Sequence, residues 1–364
     1  MHRIAYVELN VDNAHETAAY FTDCWDFTIV AEAHLQDRHS MLLRAGEIQL
    51  VISAPDGPGS QVRDWLDRHG EGVVDVALYC RDTTEISEIS VRAVAAGLPI
   101  LRRGERGERG ENGRRTVTVD GLGAIRHTLV AATKPIAPPG FPWVDLPPGR
   151  PSDDAHSAAA RIRTIDHVAL CLPHGLMYAT ADLYQDVFGL HEVSREVIHA
   201  GSSGMDSRVL RDESGTLTYV IAEPTADSRG GQIEVFVDAH GGGGVPHLAF
   251  STTDICAAVD TYARRGVGFC LTPGTYYDQV PSRLPDHRRE ISGQLEDLRR
   301  TGVLVTSDNG GLLHQIFSTN PHRGEMFYEL IQRGPGATGF GNDNVVALFA
   351  ARAAAMSEEL GAAR

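Results

Sequence analysis

Two short segments decide the fold: IDHVAL at residues 165–170 and VPHLAF at residues 245–250. In each, apolar residues alternate around a histidine, which is the pattern of a strand with one buried face. A stretch with the 3.6-residue periodicity of a helix follows each of them. The same start occurs twice earlier, as IAYVEL at residues 4–9 and VVDVAL at residues 73–78. The repetition predicts four βαβββ modules, two in each half of the chain.

A proline-rich stretch separates the two halves, with seven prolines between Pro135 and Pro151. Proline lacks the amide hydrogen and fixes φ, so this stretch fits neither a helix interior nor a central strand. We therefore predict a first domain over residues 1–133, a linker over 134–160 and a second domain over 161–364 that ends in a helix. The charged, glycine-rich stretch at 102–115 predicts a solvated loop or hairpin.

Composition excludes several classes of protein. The 364 residues are 42% hydrophobic and 22% charged, which argues against wholesale disorder. A formal charge of −15 argues against a surface that binds nucleic acid or anionic membrane. No apolar run approaches the roughly 18 residues of a membrane span, and the N-terminus lacks the pattern of a secretory signal. We expect a cytoplasmic protein without nucleic-acid or membrane partners; the sequence is compatible with a homodimer.

When the four strand starts are aligned, their third position differs between the two halves of the chain. It is Tyr6 and Asp75 in the first half, and His167 and His247 in the second. Histidines at repeat-equivalent positions predict imidazoles that face one shared concavity, with a buried structural role as the alternative. Glu329 lies in the apolar strand EMFYELIQR at 325–333, where a carboxylate is costly to bury unless it is paired or binds a metal.

Two imidazoles and one carboxylate leave several positions open on a metal ion. That is the arrangement expected of non-haem Fe(II) oxygenases. Zinc-dependent hydrolysis is compatible with the same ligands, but the sequence has no HExxH motif to support it.

The second half resembles the family of 4-hydroxyphenylpyruvate dioxygenase and 4-hydroxymandelate synthase, within the vicinal-oxygen-chelate fold. The matching segments include TIDHVAL, SRVLRDESGTLTYVIAEP, GQIEVFV, GGGVPHLAFSTTDI, TPGTYYDQV, GGLLHQIFS and FYELIQRGPGATGFGNDNVVALF, in family order from Thr164 to Phe349. The resemblance implies an α+β fold with an open sheet barrel in each domain. It also implies Fe(II) bound by His167, His247 and Glu329, and a first domain that is a metal-free scaffold.

The resemblance further implies a small-molecule substrate, 4-hydroxyphenylpyruvate, which reacts with O₂ and loses CO₂. The relatives differ in the next step, which hydroxylates either the ring, giving homogentisate, or the benzylic carbon, giving 4-hydroxymandelate. Ring-hydroxylating relatives usually carry asparagine, glutamine and phenylalanine where this chain has Ala222, Pro246 and Val345. We therefore expect 4-hydroxymandelate, a precursor of hydroxyphenylglycine in peptide antibiotics, with homogentisate as the alternative.

Further residues match positions of the family's substrate pocket. The polar ones are Ser207, Gln232, Gln315 and Asn344, and the aromatic ones are Phe317, Phe327 and Phe340. Ordinary strand polarity and core packing are the alternatives. The helix that follows Asn344 is expected either to close over the site, with Gly339 and Gly341 permitting the turn, or to pack on the barrel. Tyr276 and Tyr277 are assigned to packing alone.

Two other classes remain open. An extradiol ring-cleaving dioxygenase would use the same ligands on a catechol, but the segment around GFGNDN, residues 339–344, argues against it. A non-enzymatic module that binds an aromatic natural product would need no iron, and the complete set of two histidines and one glutamate argues against that.

Overall fold

The computed structural model describes residues 3–101, 116–132, 135–147, 158–200, 203–321, 326–341 and 344. Within them the strands form two sheets of nine and eight strands. The prediction of an α+β fold built from repeated βαβββ modules is confirmed. The charged stretch 102–115 and the C-terminal helix predicted after Asn344 lie outside the described residues.

The first sheet has the strand order β6-β7-β8-β5-β1-β4-β3-β2-β9. Its strands are β1 Arg3–Asn10, β2 Thr28–His34, β3 Arg38–Ala45, β4 Ile48–Pro55, β5 Gly72–Cys80, β6 Ile100–Leu101, β7 Thr116–Leu122, β8 Ile125–Ala131 and β9 Val144–Asp145. Its helices are α1 Ala14–Cys24, α2 Gln61–His69 and α3 Thr83–Ala95.

The second sheet has the strand order β11-β12-β13-β10-β14-β17-β16-β15, so β11 and β15 are its open edges. Its strands are β10 Ile165–Cys171, β11 His191–Ala200, β12 Ser203–Arg211, β13 Thr218–Pro224, β14 His247–Ser251, β15 Leu304–Asp308, β16 Gly311–Phe317 and β17 Phe327–Arg333. Its helices are α4 Met177–Phe188, α5 Gln232–Ala239, α6 Ile255–Arg264, α7 Gly274–Arg283, α8 Arg288–Ser292 and α9 Leu295–Thr301.

Each of the four repeated starts forms a strand at the centre of a sheet. In both sheets the two starts pair antiparallel with each other, as β1 with β5 and β10 with β14. Helices α1, α3, α4 and α6 follow these strands. Asparagine or aspartate caps three of those helices; the Asp254 carboxylate, for example, accepts the N–H of Ala257 at the start of α6.

The two sheets, each with its helices, are called the first and second domains below, and they share a buried core. Trp25 from the first domain packs edge-on against Phe250 and Tyr328 from the second, with ring centroids 5.7 and 5.9 Å apart. Beside them the Tyr262 hydroxyl donates to the Asp26 carboxylate at 2.5 Å. Phe250 and Tyr328 alternate with His247 and Glu329 along β14 and β17, so they lie on the opposite face of the second sheet. We call the face that carries His167, His247 and Glu329 the inner face.

Part of the proline-rich stretch packs on the first sheet instead of running free between the domains. Val144–Asp145 pairs antiparallel with β2, and the Ile136 N–H donates to the Tyr79 hydroxyl at 3.0 Å. Phe141 and Trp143 pack against an apolar cluster on that sheet. Apolar side chains between the prolines explain this docking. In the described part of the chain, no helix has the length and apolar character required to span a bilayer.

Candidate metal centre

Three neighbouring strands bring His167, His247 and Glu329 together on the inner face. His167 lies on β10 opposite Ala249 of β14, and Ala249 in turn pairs with Glu329 of β17. His247 is the first residue of β14. Because side chains on one face of adjacent strands are close neighbours, residues 80 or more positions apart in sequence meet here.

The three donor atoms are mutually 3.4 Å apart: Nε2 of His167, Nε2 of His247 and Oε2 of Glu329. Ligand atoms bound about 2.0–2.2 Å from one ion lie about 3–3.5 Å from each other. His167 and Glu329 are buried, and the His247 side chain is 16% exposed. Two imidazoles and one carboxylate therefore fit a divalent transition metal, with one side reachable from outside.

The electrostatics of the centre favour a positive charge between the three groups. Burial alone would lower the pKa of His167, but the Glu329 and Asp166 carboxylates outweigh it and raise the pKa to about 9. Burial would likewise raise the pKa of Glu329, but the two imidazoles lower it to about 2. The carboxylate is thus ionised over the physiological range, in the form that binds a cation.

Asp166 orients the imidazole of His167. A register shift in β10 between Ile165 and His167 forms a bulge, which lets Asp166 contact the ring of its own neighbour. The Asp166 carboxylate lies 2.9 Å from His167 Nδ1 and receives two hydrogen bonds of 2.8 Å from Arg333. Nδ1 is therefore engaged, and Nε2 faces the centre. Sequence reasoning missed both Asp166 and Arg333.

A second chain of hydrogen bonds holds Glu329. The Gln315 amide donates to Glu329 Oε1 at 3.0 Å, and the Asn344 amide donates to Gln315 Oε1 at 2.8 Å. The Tyr276 hydroxyl lies 3.1 Å from Asn344 Oδ1 and 2.8 Å from the Val305 carbonyl oxygen. Gln315 thus contacts a candidate metal ligand directly, and Tyr276 has a polar role beyond the packing assigned to it.

Gly341 allows the backbone to pass close to the side chain of Gln315. Its φ is 70°, and a Cβ at this position would lie only 2.6 Å from Gln315 Oε1. Glycine is therefore required by both the backbone conformation and the space, which accounts for the turn predicted there.

The three predicted aromatic residues line the centre. Phe340 meets the His167 ring edge-on at 5.0 Å, and Phe327 lies 4.9 Å from the His247 ring. Phe317 packs on Phe327 at 6.1 Å. All three are buried, so they form an apolar wall around the donor atoms.

Of the remaining predicted pocket residues, Ser207, Ala222 and Gln232 lie on the other side of β10 from the three donor atoms. Ser207 and Ala222 are directly opposite each other on β12 and β13, and Ser207 donates to the Glu196 carbonyl oxygen at 3.3 Å. Gln232 is the first residue of helix α5, so the strand polarity considered as its alternative does not apply. Pro246 precedes β14, and its carbonyl oxygen accepts the Phe327 N–H at 2.9 Å. Val345 lies outside the described residues.

Comparison with known proteins finds relatives over nearly the whole chain. Residues 164–280 match the Glyoxalase/Bleomycin resistance protein/Dioxygenase superfamily. The chain is 33% identical over 360 residues to a 4-hydroxyphenylpyruvate dioxygenase of Caenorhabditis briggsae, covering 94% of this chain and 89% of that protein. It is 28% identical over 361 residues to the Dictyostelium discoideum enzyme of the same name, covering 95% and 96%.

A solved structure is similar over nearly the whole chain. A triple mutant of 4-hydroxymandelate synthase from Streptomyces coelicolor matches with a TM-score of 0.84 and 36% identity, covering 96% of this chain and 97% of that one. The resemblance inferred from the sequence is thereby confirmed. The chain belongs to the dioxygenase family of 4-hydroxyphenylpyruvate dioxygenase and 4-hydroxymandelate synthase.

Proposed function

We propose that this chain is an Fe(II)-dependent dioxygenase that converts 4-hydroxyphenylpyruvate and O₂ into 4-hydroxymandelate and CO₂. The observation that carries the proposal is the convergence of two imidazole nitrogens and one carboxylate oxygen, mutually 3.4 Å apart, on the inner face. Membership of a dioxygenase family supports the same class of reaction. The product would supply hydroxyphenylglycine for peptide antibiotics.

His167, His247 and Glu329 would hold the iron. When bound, Fe(II) would supply chelation of the substrate's α-keto acid and activation of O₂ for oxidative decarboxylation and hydroxylation. Three protein ligands leave positions for both reactants, and the substrate's own keto acid removes the need for 2-oxoglutarate. Asp166 and Gln315 act behind the ligands, since each holds one atom of a ligand side chain and leaves the other directed at the centre.

The wall of Phe317, Phe327 and Phe340 would bind the aromatic ring and exclude water from the reacting atoms. Ser207, Gln232 and Gln315 would orient the phenol or the keto acid through hydrogen bonds. Phe340 and Asn344 close one side of this wall, because both are buried.

The choice of product depends on how the ring is held. Ala222 is 4% exposed and packs with Cys171, Ile233 and Phe236, so this part of the inner face is apolar. An asparagine amide here would anchor a polar group of the substrate, and a hydrogen bond contributes about 0.5–1.5 kcal/mol. A displacement of about 1 Å in a reacting atom can change a rate about 10²-fold, enough to favour the benzylic carbon over the ring.

The second candidate is formation of homogentisate by the ring-hydroxylating activity. The names of the relatives from Caenorhabditis briggsae and Dictyostelium discoideum favour it. Both candidates share the metal centre, substrate and loss of CO₂, so they differ only in product.

The test is anaerobic loading with Fe(II), followed by 4-hydroxyphenylpyruvate and O₂, with CO₂ and the aromatic product both identified by mass spectrometry and NMR. We expect equal amounts of CO₂ and 4-hydroxymandelate. Homogentisate would assign the second candidate, and a chain that binds iron but releases no CO₂ would contradict both. An Ala222→Asn/Val345→Phe variant should shift part of the product to homogentisate, with the two single variants as controls.

A further inference from the structure

A second group of side chains that could hold a metal ion lies in the first sheet, at the hairpin between β2 and β3. His34 and His39 are direct partners across the two strands, and Glu32 lies two residues before His34. Cross-strand partners and residues two apart share one face of a sheet. All three side chains therefore lie on the same face at the tip of the hairpin.

The three side chains are close enough to share one ion. Each offers a ligand atom, and these atoms lie within 4.8 Å of one another. Nε2 of His39 is 3.7 Å from Oε2 of Glu32, and the rings of His34 and His39 stack with centroids 4.3 Å apart. His15, in the first turn of α1, lies alongside with its ring 5.0 Å from that of His39.

One ring nitrogen of His39 is left without a hydrogen-bond partner among the described residues. This nitrogen, Nε2, is buried, and its distance of 3.7 Å to Glu32 exceeds hydrogen-bond length. Burial, together with His34 and His15, lowers the pKa of His39. Neutral imidazole is the form that binds metals, and a buried unpaired nitrogen is costly without a partner.

We propose that Glu32, His34 and His39 form a second metal site, which takes a divalent ion of the Zn²⁺ or Ni²⁺ type. His39 is the fixed ligand because its side chain is only 12% exposed. His34 is exposed, so its ring is free to turn out of the stack until its lone pair meets that of His39. Imidazole and carboxylate suit zinc and nickel, whereas calcium and magnesium take oxygen ligands alone.

Metal bound here would join β2 to β3 at the tip of their hairpin. Water or His15 would complete a tetrahedral set, since zinc sites in proteins are almost always four-coordinate. The site uses no residue of the candidate metal centre and does not depend on the proposed reaction.

The test counts zinc ions. The full-length chain, stripped of metal with a chelator and titrated with Zn²⁺ by isothermal titration calorimetry, is expected to bind two ions per chain. A His34→Gln/His39→Gln variant should bind one, and a His247→Gln/Glu329→Gln variant should also bind one, losing the other ion. A His191→Gln/His199→Gln variant, which changes two histidines of β11, should still bind two.

Two results would overturn the proposal. One is a single zinc ion in the parent chain that disappears with the His247→Gln/Glu329→Gln change. The other is two ions retained by the hairpin double variant. Because His34 is exposed, His34→Gln alone provides a version whose folding is not in question, and it should weaken the second binding event at least about 10-fold.

Discussion

The two domains have the same strand pairing at their centres but carry different side chains at the equivalent positions. Tyr6 lies opposite Ala77 across β1 and β5, in the same register that places His167 opposite Ala249 across β10 and β14. The backbone positions for a metal centre therefore exist twice in this chain. Among the described residues, donor atoms converge on one point only at the second-domain set of these positions, in His167, His247 and Glu329.

The register also identifies the first-domain counterpart of Glu329, which is Thr128. Strand β5 pairs with β8 as β14 pairs with β17, and Thr128 holds the position of the glutamate. Its N–H and hydroxyl donate to the Asp75 carboxylate at 2.9 and 2.5 Å. In the first domain the equivalent groups bind each other. In the second, His167 and Glu329 each have one atom held and one directed at the centre, and this difference is what makes a site.

The largest effect tests that contrast directly. Glu329→Gln removes the negative charge that draws a cation to the centre, and we expect it to abolish Fe(II) binding and turnover. Thr128→Val at the equivalent position should leave both unchanged and cost about 1–3 kcal/mol of stability, because the buried Asp75 loses a donor. Calorimetric iron titration and CO₂ release measure the two variants. Loss of iron in Thr128→Val would show that the first domain contributes to the centre.

The next effect concerns the pH dependence of the first domain. Burial, with the nearby Glu8 carboxylate, raises the pKa of Asp75 to about 6. The folded protein therefore holds this proton more tightly than the unfolded chain, whose pKa is near 3.8. The resulting stabilisation is complete below pH 3.8 and lost as the pH rises through 6, and it amounts to about 3 kcal/mol.

Asp75→Asn mimics the protonated carboxyl and retains an oxygen for the Thr128 N–H. Its melting temperature should exceed that of the parent at pH 7.5, and the difference should shrink towards pH 4. The exposed Asp278→Asn change serves as control. A difference that stays constant between pH 4 and 7.5 would contradict a raised Asp75 pKa.

Much of this contrast was visible in the sequence, because repeats and strand alternation leave a periodic signal. His167, His247 and Glu329 were predicted in that way, and the structure brings them together. Asp166 was missed because neighbours on a regular strand face opposite sides, and only the bulge in β10 brings it to the His167 ring.

Contacts between distant segments could not be predicted from the sequence, for a different reason. The Tyr276–Asn344 hydrogen bond joins residues 68 positions apart, and no periodicity encodes such a pair. Thr128 was likewise not identifiable, since a threonine on a strand is ordinary until the register shows which position it occupies. The docking of Val144–Asp145 onto β2 was hidden by the surrounding prolines.

A smaller effect is expected from the residue that orients His167. Asp166→Asn keeps an oxygen near Nδ1 but loses the charge that pairs with Arg333. We expect Fe(II) affinity to fall about 10- to 100-fold, as is typical when the partner of a metal-bound histidine is changed. Asp260→Asn, which breaks a surface pair with Arg300, is the matched control and should bind iron normally. If Asp166→Asn and Asp260→Asn bound Fe(II) with equal affinity, Asp166 would have no role in holding His167 for the metal.

The smallest effect is expected from Tyr276, at the far end of the hydrogen-bond chain that holds Glu329. Tyr276→Phe removes the hydroxyl that joins Asn344 to the backbone of Val305, so Gln315 and then Glu329 lose part of their support. One hydrogen bond is worth about 0.5–1.5 kcal/mol, so Fe(II) affinity and turnover should fall about 2- to 10-fold.

The neighbouring Tyr277→Phe is the matched control. Tyr277 is fully buried, and its hydroxyl has no hydrogen-bond partner among the described residues. It should therefore leave iron affinity unchanged, even if the melting temperature moves. A purely structural role for Tyr276 would lower the stability of Tyr276→Phe and leave its iron dissociation constant untouched. If the iron dissociation constant rises in Tyr276→Phe alone, then contacts as far away as β15 help to position Glu329. The first domain has no need of such support, because Thr128 binds Asp75 directly.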